Sequence, residues 1–293
     1  MKILITGATG QLGYHLQQTA AETGRSDTLL CPGREELNLA DSESLDHYLR
    51  NHKPEYIINA AAYTAVDRAE SESDLAQAVN CGAVEQFARY SLEHKCPLIQ
   101  VSTDFVFSGE QGRPYETDTE CQPLGVYGCS KREGELAALR SPYARIIRTA
   151  WVYSEHGANF VKTMLRLGRD RDRLTVVADQ IGSPTYARNL AMFIWRLMDN
   201  ACEQTIFHCC DAGVCSWYDF ANSIFELAVD KGLLAQAPNV TPIRSEQYPT
   251  PAQRPHYSVL DCSKSYAAVD VEPQHWRTAL AQMLDKLGEQ EKH

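Results

Sequence analysis

Tyr127 and Lys131 stand four residues apart in the stretch Tyr-Gly-Cys-Ser-Lys, at the head of a helical run that reaches Ala138. Residues four apart on a helix project from one face, so the phenol and the ammonium share a side. A free tyrosine, with a pKa of about 10, gives up its proton poorly near neutrality. An ammonium beside it favours the phenolate and lowers that pKa. Upstream, the apolar run 97–101 ends in Ser102, Thr103 and Asp104. A hydroxyl at such a strand end can hold a carbonyl oxygen as charge develops on it. Together the three groups suit a ketone that takes up a hydride. Tyr127 would donate the proton, Thr103 would polarise the carbonyl, and Lys131 would tune the tyrosine and bond the hydride carrier's ribose. The spacing alone is a weak signal, because surface helices carry such pairs by chance.

A hydride needs a carrier, and the chain opens on a place for one. Ile3-Leu4-Ile5 reads as a buried strand, glycines follow at Gly7, Gly10 and Gly13, and residues 14–21 continue as a helix. Glycines let backbone amides approach a phosphate, and a helix N-terminus favours an anion. That is the arrangement of a dinucleotide site. A short second strand, 28–31, ends without Asp or Glu, and Arg34 lies just past it. An arginine there suits a ribose 2′-phosphate, so NADPH is the expected cofactor and NADH the alternative. A plain surface role for Arg34 stays open. Ala61 and its alanine neighbours end the strand 56–62 with little bulk against a ligand, and Ser102 joins them from the next strand end.

These groups need a frame to hold them. Strands over 3–5, 28–31, 56–62, 97–104 and 143–149 alternate with helical stretches, one of which spans 75–92 with Asn80 near its middle. Alternation of this kind predicts an α/β fold, a Rossmann-type doubly wound parallel sheet. Asp67, Glu70, Glu72 and Asp74 form an acidic cluster that reads as a solvated helix start. After Trp151 the pattern loosens, and the proline-rich stretch 238–255 reads as irregular. Residues 1–150 are expected to form the dinucleotide-binding domain, with 174–199 returning to it. Residues 151–173 and 200–293 are expected mainly in a smaller C-terminal substrate-binding lobe.

Composition narrows the partners. The chain has 293 residues and a formal net charge of -10. No Lys/Arg block stands out, so neither nucleic acid nor an anionic membrane is an expected partner. The longest apolar runs fall far short of a membrane span. Ten cysteines form no Cys-x-x-Cys pair, and no signal peptide is visible. Reduced thiols and a cytoplasmic location are expected.

Seven stretches carry a resemblance. They are TGATGQLG at 6–13, NAAAYTAVDRAE at 59–70, STDFVFSG at 102–109, YGCSK at 127–131, RTAWVYSEHGANF at 148–160, DQIGSPT at 179–185 and RPHYS at 254–258. Through them the sequence resembles the dTDP-4-dehydrorhamnose reductase family of the extended short-chain dehydrogenase/reductase superfamily. The first and fourth stretches are common to the superfamily, and the others are far more specific. The resemblance implies NAD(P)H-dependent reduction of the 4-keto group of dTDP-4-dehydro-β-L-rhamnose, with the dTDP-sugar as partner. It implies Tyr127 as catalytic acid, Lys131 as its partner and Thr103 as the stabilising hydroxyl. Asp104 and Trp151 match sugar-contacting positions. Gln11 and Leu12 match cofactor positions in the turn, Asn38 and Leu39 the adenine side, and Ala62, Tyr63 and Thr64 the loop along the cofactor.

The residues themselves leave some roles open. Trp151 can offer a flat face to a sugar ring or sit in the core under the later lobe. Asp104 can accept from sugar hydroxyls or cap a turn. Arg254 can meet a nucleotide diphosphate bidentately or serve in packing or at the surface. Two positions depart from the family. Phe105 stands where many members have tyrosine. Some bacterial members bind Mg²⁺ at a dimer interface through glutamates, but the matching position here is His15, and Asn189 lies where another carboxylate would be expected. No metal is therefore expected, and monomer against homodimer stays open. The same trio serves reductases and epimerases of other nucleotide sugars. A non-catalytic NADP-binding regulatory subunit, resembling the β subunit of methionine adenosyltransferase, is a further alternative that the intact Thr103, Tyr127 and Lys131 disfavour.

Overall fold

The structure is a computed structural model that describes residues 1–200 and 202–290. The first half runs β1 (Lys2–Thr6), α1 (Gln11–Glu22), β2 (Thr28–Leu30), α2 (Ser42–His52), β3 (Tyr56–Asn59), α3 (Val66–Ala69), α4 (Ser73–Gln77), α5 (Ala83–His94), β4 (Leu98–Thr103), α6 (Val126–Ala138) and β5 (Ala144–Thr149). The second half runs β6 (Val152–Tyr153), α7 (Phe160–Asp170), β7 (Arg173–Val177), β8 (Ile181–Gly182), β9 (Thr185–Tyr186), α8 (Ala187–Asp199), β10 (Ile206–His208), β11 (Cys215–Ser216), α9 (Trp217–Asp230), β12 (Asn239–Ile243), α10 (Ser263–Val269) and α11 (Trp276–Gln290).

Six strands form one parallel sheet in the order β10-β5-β4-β3-β1-β2. Successive strand residues point to opposite faces, and both faces of this sheet are covered. Leu4, Ile57, Leu98 and Ile146 pack on one side against α2, α5 and α6. Ile3, Ile5, Ile58, Ile99 and Ile147 pack on the other against α1 and α8. The chain leaves β1 toward β2 on one side and builds β3, β4 and β5 on the other. A parallel sheet opens its ligand crevice at such a reversal, outside the carboxyl ends of the strands.

The second core lies under α7, α9 and α11, with Phe220, Ile224, Leu280 and Met283 at its centre. Two small strand pairs line it, β7 with β12 in parallel and β8 with β11 antiparallel. The chain's division is more interleaved than the sequence reading has it. β10 falls in the region assigned mainly to the lobe, yet it completes the main sheet beside β5. The segment expected to return, 174–199, is split. Its helix α8 packs on the main sheet with α1, whereas β7 belongs to the lobe.

Three further local readings are corrected. The stretch 238–255 is not wholly irregular, because β12 runs through it. Pro242 is tolerated there because each strand of a two-stranded sheet is an edge, with one side free of ladder bonds. The helix expected over 75–92 is interrupted by a π turn, Ala78–Gly82, that inserts one wider loop of backbone. The short helix α10 lies on the α8 side of the sheet with Tyr266 inward and was not foreseen.

Candidate active site

A cleft of about 710 Å³ follows the carboxyl ends of β1, β3 and β4. Gly7, Gly10, Gln11 and Leu12 form its floor at the first turn. Gly7 has φ +66, and a Cβ there would stand 2.9 Å from the Ala61 backbone. Only a glycine relieves both constraints. Gly13 does not line the cleft. Its role is packing, since a Cβ on it would lie 2.2 Å from the Gly7 carbonyl oxygen. Helix α1 begins at Gly10 with no side-chain cap, so its first amides stay available to an anion.

Arg34, Asn38 and Leu39 line the cleft beyond β2, and Ala61, Ala62, Tyr63 and Thr64 line it beyond β3. Arg34 is exposed. The Tyr63 backbone is gripped on both sides by Asn80, which accepts from its N–H at 2.8 Å and donates to its carbonyl at 3.2 Å. Asn80 also donates to the Ser130 hydroxyl at 3.0 Å, tying the cofactor-side loop to α6 from within the π turn. The wider backbone of that turn is what lets a helix residue reach both elements.

Tyr127, Lys131 and Ser102 line the opposite end. Gly128 lets α6 seat against the turn after β4, because a Cβ there would meet the Phe105 carbonyl oxygen at 2.4 Å. This seating brings the Tyr127 ring edge-on to Phe105, with centroids 5.6 Å apart. It also sets the phenol beside the Thr103 side chain. Thr103 donates in turn to Asp104 Oδ1 at 2.9 Å. Burial pushes Tyr127 up to about 12, although the neighbouring Thr103 hydroxyl pulls the other way. Burial lowers Lys131 to about 8. The sequence expectation had the ammonium lowering the tyrosine's pKa. Here desolvation governs both groups, and Lys131 donates to the Val101 carbonyl at 2.7 Å.

A line of side chains beneath the cleft explains that contact. Thr6 donates to Asn59 Oδ1 at 2.5 Å, Asn59 donates to Gln100 Oε1 at 2.6 Å, and Gln100 donates to the Val101 carbonyl at 2.8 Å. The register that places Thr6 opposite Asn59, and Asn59 opposite Gln100, makes the line continuous. It joins the glycine turn to the lysine across three strands. None of Thr6, Asn59 and Gln100 is a site residue in the sequence reading, because their meaning depends on strand register.

The expected sugar-side residues are arranged less simply. Asp104 is buried, which raises its carboxyl to about 6, and its Oδ2 lacks a geometric partner among the described residues. Trp151 is half-buried in a left-handed backbone conformation, φ +48. Trp217 stacks on one face of its indole at 3.5 Å and 9°, so at most the other face can meet a ring. Arg254 is not among the cleft-lining residues. Its guanidinium forks onto Asp67 at 3.0 and 2.8 Å, and Ala252 N–H donates to the same carboxylate at 3.2 Å. The bidentate partner is thus a carboxylate of the protein. Asp67 is held below the usual carboxylate range by the hydrogen bond from Arg254.

The acidic cluster is accordingly more than a solvated face. Asp67 anchors the 250–254 segment, Glu70 accepts from Val126 N–H at the start of α6, and Glu72 accepts from the Tyr63 hydroxyl. On the far side of the glycine turn, the segment 156–159 also lies over the cleft. His156 contacts the Thr9 carbonyl at 3.0 Å, and Asn159 donates to Gln11 Oε1 at 2.9 Å. The stretch RTAWVYSEHGANF already carried these residues, but not their direction.

Comparison with known proteins agrees with this geometry. A model described as the RmlD substrate binding domain matches residues 1–289. A dTDP-4-dehydrorhamnose reductase of Aggregatibacter actinomycetemcomitans is 41% identical over 95% of this chain and 97% of its own. The chain belongs to the dTDP-4-dehydrorhamnose reductase family. Among solved structures, the family's protein from Clostridium acetobutylicum superposes with a TM-score of 0.91 at 37% identity, covering 98% of this chain and 100% of that one. The Bacillus anthracis reductase, solved in complex with NADP, gives 0.90 at 33% identity over 97% and 99%. Among the described residues, His15 lies against Ser154 at 2.9 Å and Glu155 at 3.3 Å, and no group of three or more His, Cys, Asp or Glu side chains is placed to hold a metal. No helix among them is long and apolar enough to cross a membrane.

Proposed function

We propose that this chain is a dTDP-4-dehydrorhamnose reductase that uses NADPH to reduce the 4-keto group of dTDP-4-dehydro-β-L-rhamnose. The observation that carries the reading is the placing of Tyr127, Lys131 and Ser102 at one end of a cleft whose other end is floored by Gly7, Gly10 and the uncapped start of α1. The close approach of Gly7 to the Ala61 backbone lets the ends of β1 and β3 meet at the cleft floor, which suits a dinucleotide. The family's B. anthracis structure with NADP supports the same cofactor.

NADPH supplies the hydride when bound. Gln11 and Leu12 would hold its diphosphate, Arg34 its 2′-phosphate, and Asn38 and Leu39 its adenine, while Ala61, Ala62, Tyr63, Thr64 and Ser102 would border the remainder. Thr103 exchanges its bond to Asp104 for one to the substrate's carbonyl oxygen. Tyr127 delivers its proton to that oxygen, where the electron pair of the C=O bond comes to rest. The raised pKa keeps the phenol protonated until negative charge forms on that oxygen. Asp104 Oδ2 accepts from a sugar hydroxyl, and the uncovered side of Trp151 borders the sugar ring. Arg254 acts through Asp67, fixing the segment that closes this end.

The test is direct. Incubation with NADPH and dTDP-4-dehydrorhamnose should consume cofactor and yield dTDP-rhamnose, identified by mass and NMR. Absence of cofactor oxidation with that substrate, together with oxidation by another nucleotide sugar, would reassign the substrate and keep the reductase chemistry.

A further inference from the structure

Trp151 lies two residues past the end of β5, where Thr149 stands opposite Thr103 of β4. Its side chain packs against the cluster that holds Val106 and Phe107, in the turn after Asp104. The indole therefore stands at the Thr103 end of the cleft. Trp217 covers one of its faces, with centroids 3.5 Å apart and planes at 9°. Gly182 covers the other. A Cβ on Gly182 would stand 2.7 Å from Trp151 Cε2 and 2.9 Å from both Cζ2 and Nε1. Near-equal distances to an atom and its two bonded neighbours put the glycine over the ring plane and not beyond its rim. A ring stacked at 3.5 Å leaves no room for it on the Trp217 side. Trp151 is thus the middle layer of a sandwich, and the part left uncovered is an edge.

The outer layers are tied to each other and to their surroundings. β8 carries Gly182 and pairs with β11, setting Gly182 opposite Cys215. Trp217 opens α9 directly after β11, and a capping box between Ser216 and Asp219, with bonds at 3.1 and 3.0 Å, fixes that start. On its other side β8 meets the segment that follows Arg254. Ile181 N–H donates to the His256 carbonyl and Ser258 N–H to the Ile181 carbonyl, each at 2.8 Å. The middle layer is held as well. Trp151 keeps a left-handed backbone, φ +48, and its carbonyl accepts from Thr185 N–H at 3.2 Å. An indole nitrogen is a donor only. Among the described residues no group accepts from Trp151 Nε1–H, and the nitrogen keeps access to solvent.

We propose that Trp217 and Gly182 are positioning residues that hold Trp151 edge-on at the Thr103 end, so that its Nε1–H, and not a ring face, meets an oxygen of the sugar. This deepens the reductase reading and rests on its dTDP-sugar substrate. Stacking on a sugar needs an open face, and a ring closed on both sides has none to offer. A hydrogen bond needs direction, and the sandwich supplies it by denying the indole room to swing. The sugar oxygen takes the place of water on a donor that the protein leaves free.

The experiment uses two ligands that differ by the sugar, dTDP-rhamnose and dTDP. NMR of isotopically tryptophan-labelled protein follows the indole N–H signals, with that of Trp151 assigned by its loss in Trp151→Phe. Added dTDP-rhamnose should move the Trp151 signal to lower field, and dTDP should leave it in place. In calorimetry, Trp151→Phe and Gly182→Ala should each weaken dTDP-rhamnose by about three- to tenfold, the worth of one hydrogen bond, with dTDP unchanged. Trp217→Leu should do the same, and Trp217→Phe, which keeps a stacked ring, should retain most of the native affinity. Loss of packing alone would weaken both ligands alike. Bound dTDP-rhamnose with an unmoved Trp151 signal overturns the proposal and leaves the substrate reading standing. Equal movement with dTDP alone also overturns it, because the bond would then belong to the diphosphate. No binding of dTDP-rhamnose to the native protein defeats the substrate reading and the proposal with it.

Discussion

The two ends of the cleft are built by different means. At the cofactor end, the chain relies on backbone: a glycine in a left-handed conformation, a second glycine packed on its carbonyl, and a helix start left uncapped. At the Tyr127 end it relies on side chains brought from α6, β4 and the segments around Trp151 and Arg254. Backbone architecture is set by a dozen consecutive residues. Side-chain architecture is set by register and packing between residues far apart in sequence. The first tolerates few residue types and meets its distant partners, Ala61, His156 and Asn159, mostly through its backbone, whereas the second depends on several distant side chains at once.

If that contrast holds, Tyr127→Phe should abolish most turnover, by about 10²- to 10⁴-fold, the range of a lost acid–base group. NADPH affinity, read by fluorescence titration, should stay within about twofold, because the cofactor end is a separate construction. A parallel loss of both would break the comparison. Gly13→Val tests the other end. Its Cβ would collide with the Gly7 carbonyl, so stability should fall by about 1–3 kcal/mol in denaturant titration, with NADPH binding weakened more than the remaining fold.

Smaller effects sharpen the picture. Asp67→Ala frees Arg254 and detaches Ala252 N–H, so the 250–254 segment should loosen. KM for the dTDP-sugar should rise about three- to tenfold in steady-state kinetics with kcat little changed, the pattern of lost uniform binding. A fall in KM would show instead that Asp67 competes with the substrate's diphosphate for the arginine. Arg34→Ala should weaken NADPH by about three- to tenfold while leaving NADH almost unchanged, since the exposed guanidinium has only the 2′-phosphate to lose. Equal changes for both cofactors would remove Arg34 from the phosphate site.

The same contrast explains what was legible in the sequence. The strand–turn–helix at 3–21, the alternation through 149 and the Tyr127–Lys131 pair are local patterns, and their period or spacing carries the information. The long sheet followed from them, and 206–209 reads as a short strand, but its place as the sixth strand of that sheet did not follow. β10 is only three residues long, and its place beside β5 is a tertiary fact. Asn80 could be read as a hydrogen-bonding residue, yet its grip on Tyr63 and Ser130 is a tertiary fact, and Gly82 alone does not announce the π turn that it ends. Trp217 and Asp67 carry ordinary surface or core signatures until their partners appear opposite them. Arg254 was read by its chemistry, a fork for paired oxygens, but chemistry does not say whose oxygens.

The line from Thr6 through Asn59 and Gln100 to the Val101 carbonyl has a consequence for protons. Every donor in it points the same way and ends on a carbonyl that also receives Lys131. Carboxamides hold their N–H protons and do not hand them along a chain as water or imidazole does. The floor is therefore an insulator. Once Tyr127 has given up its proton, the replacement does not come through that floor, which leaves the cleft and the titratable groups beside the phenol, Asp104 and Lys131, as its sources.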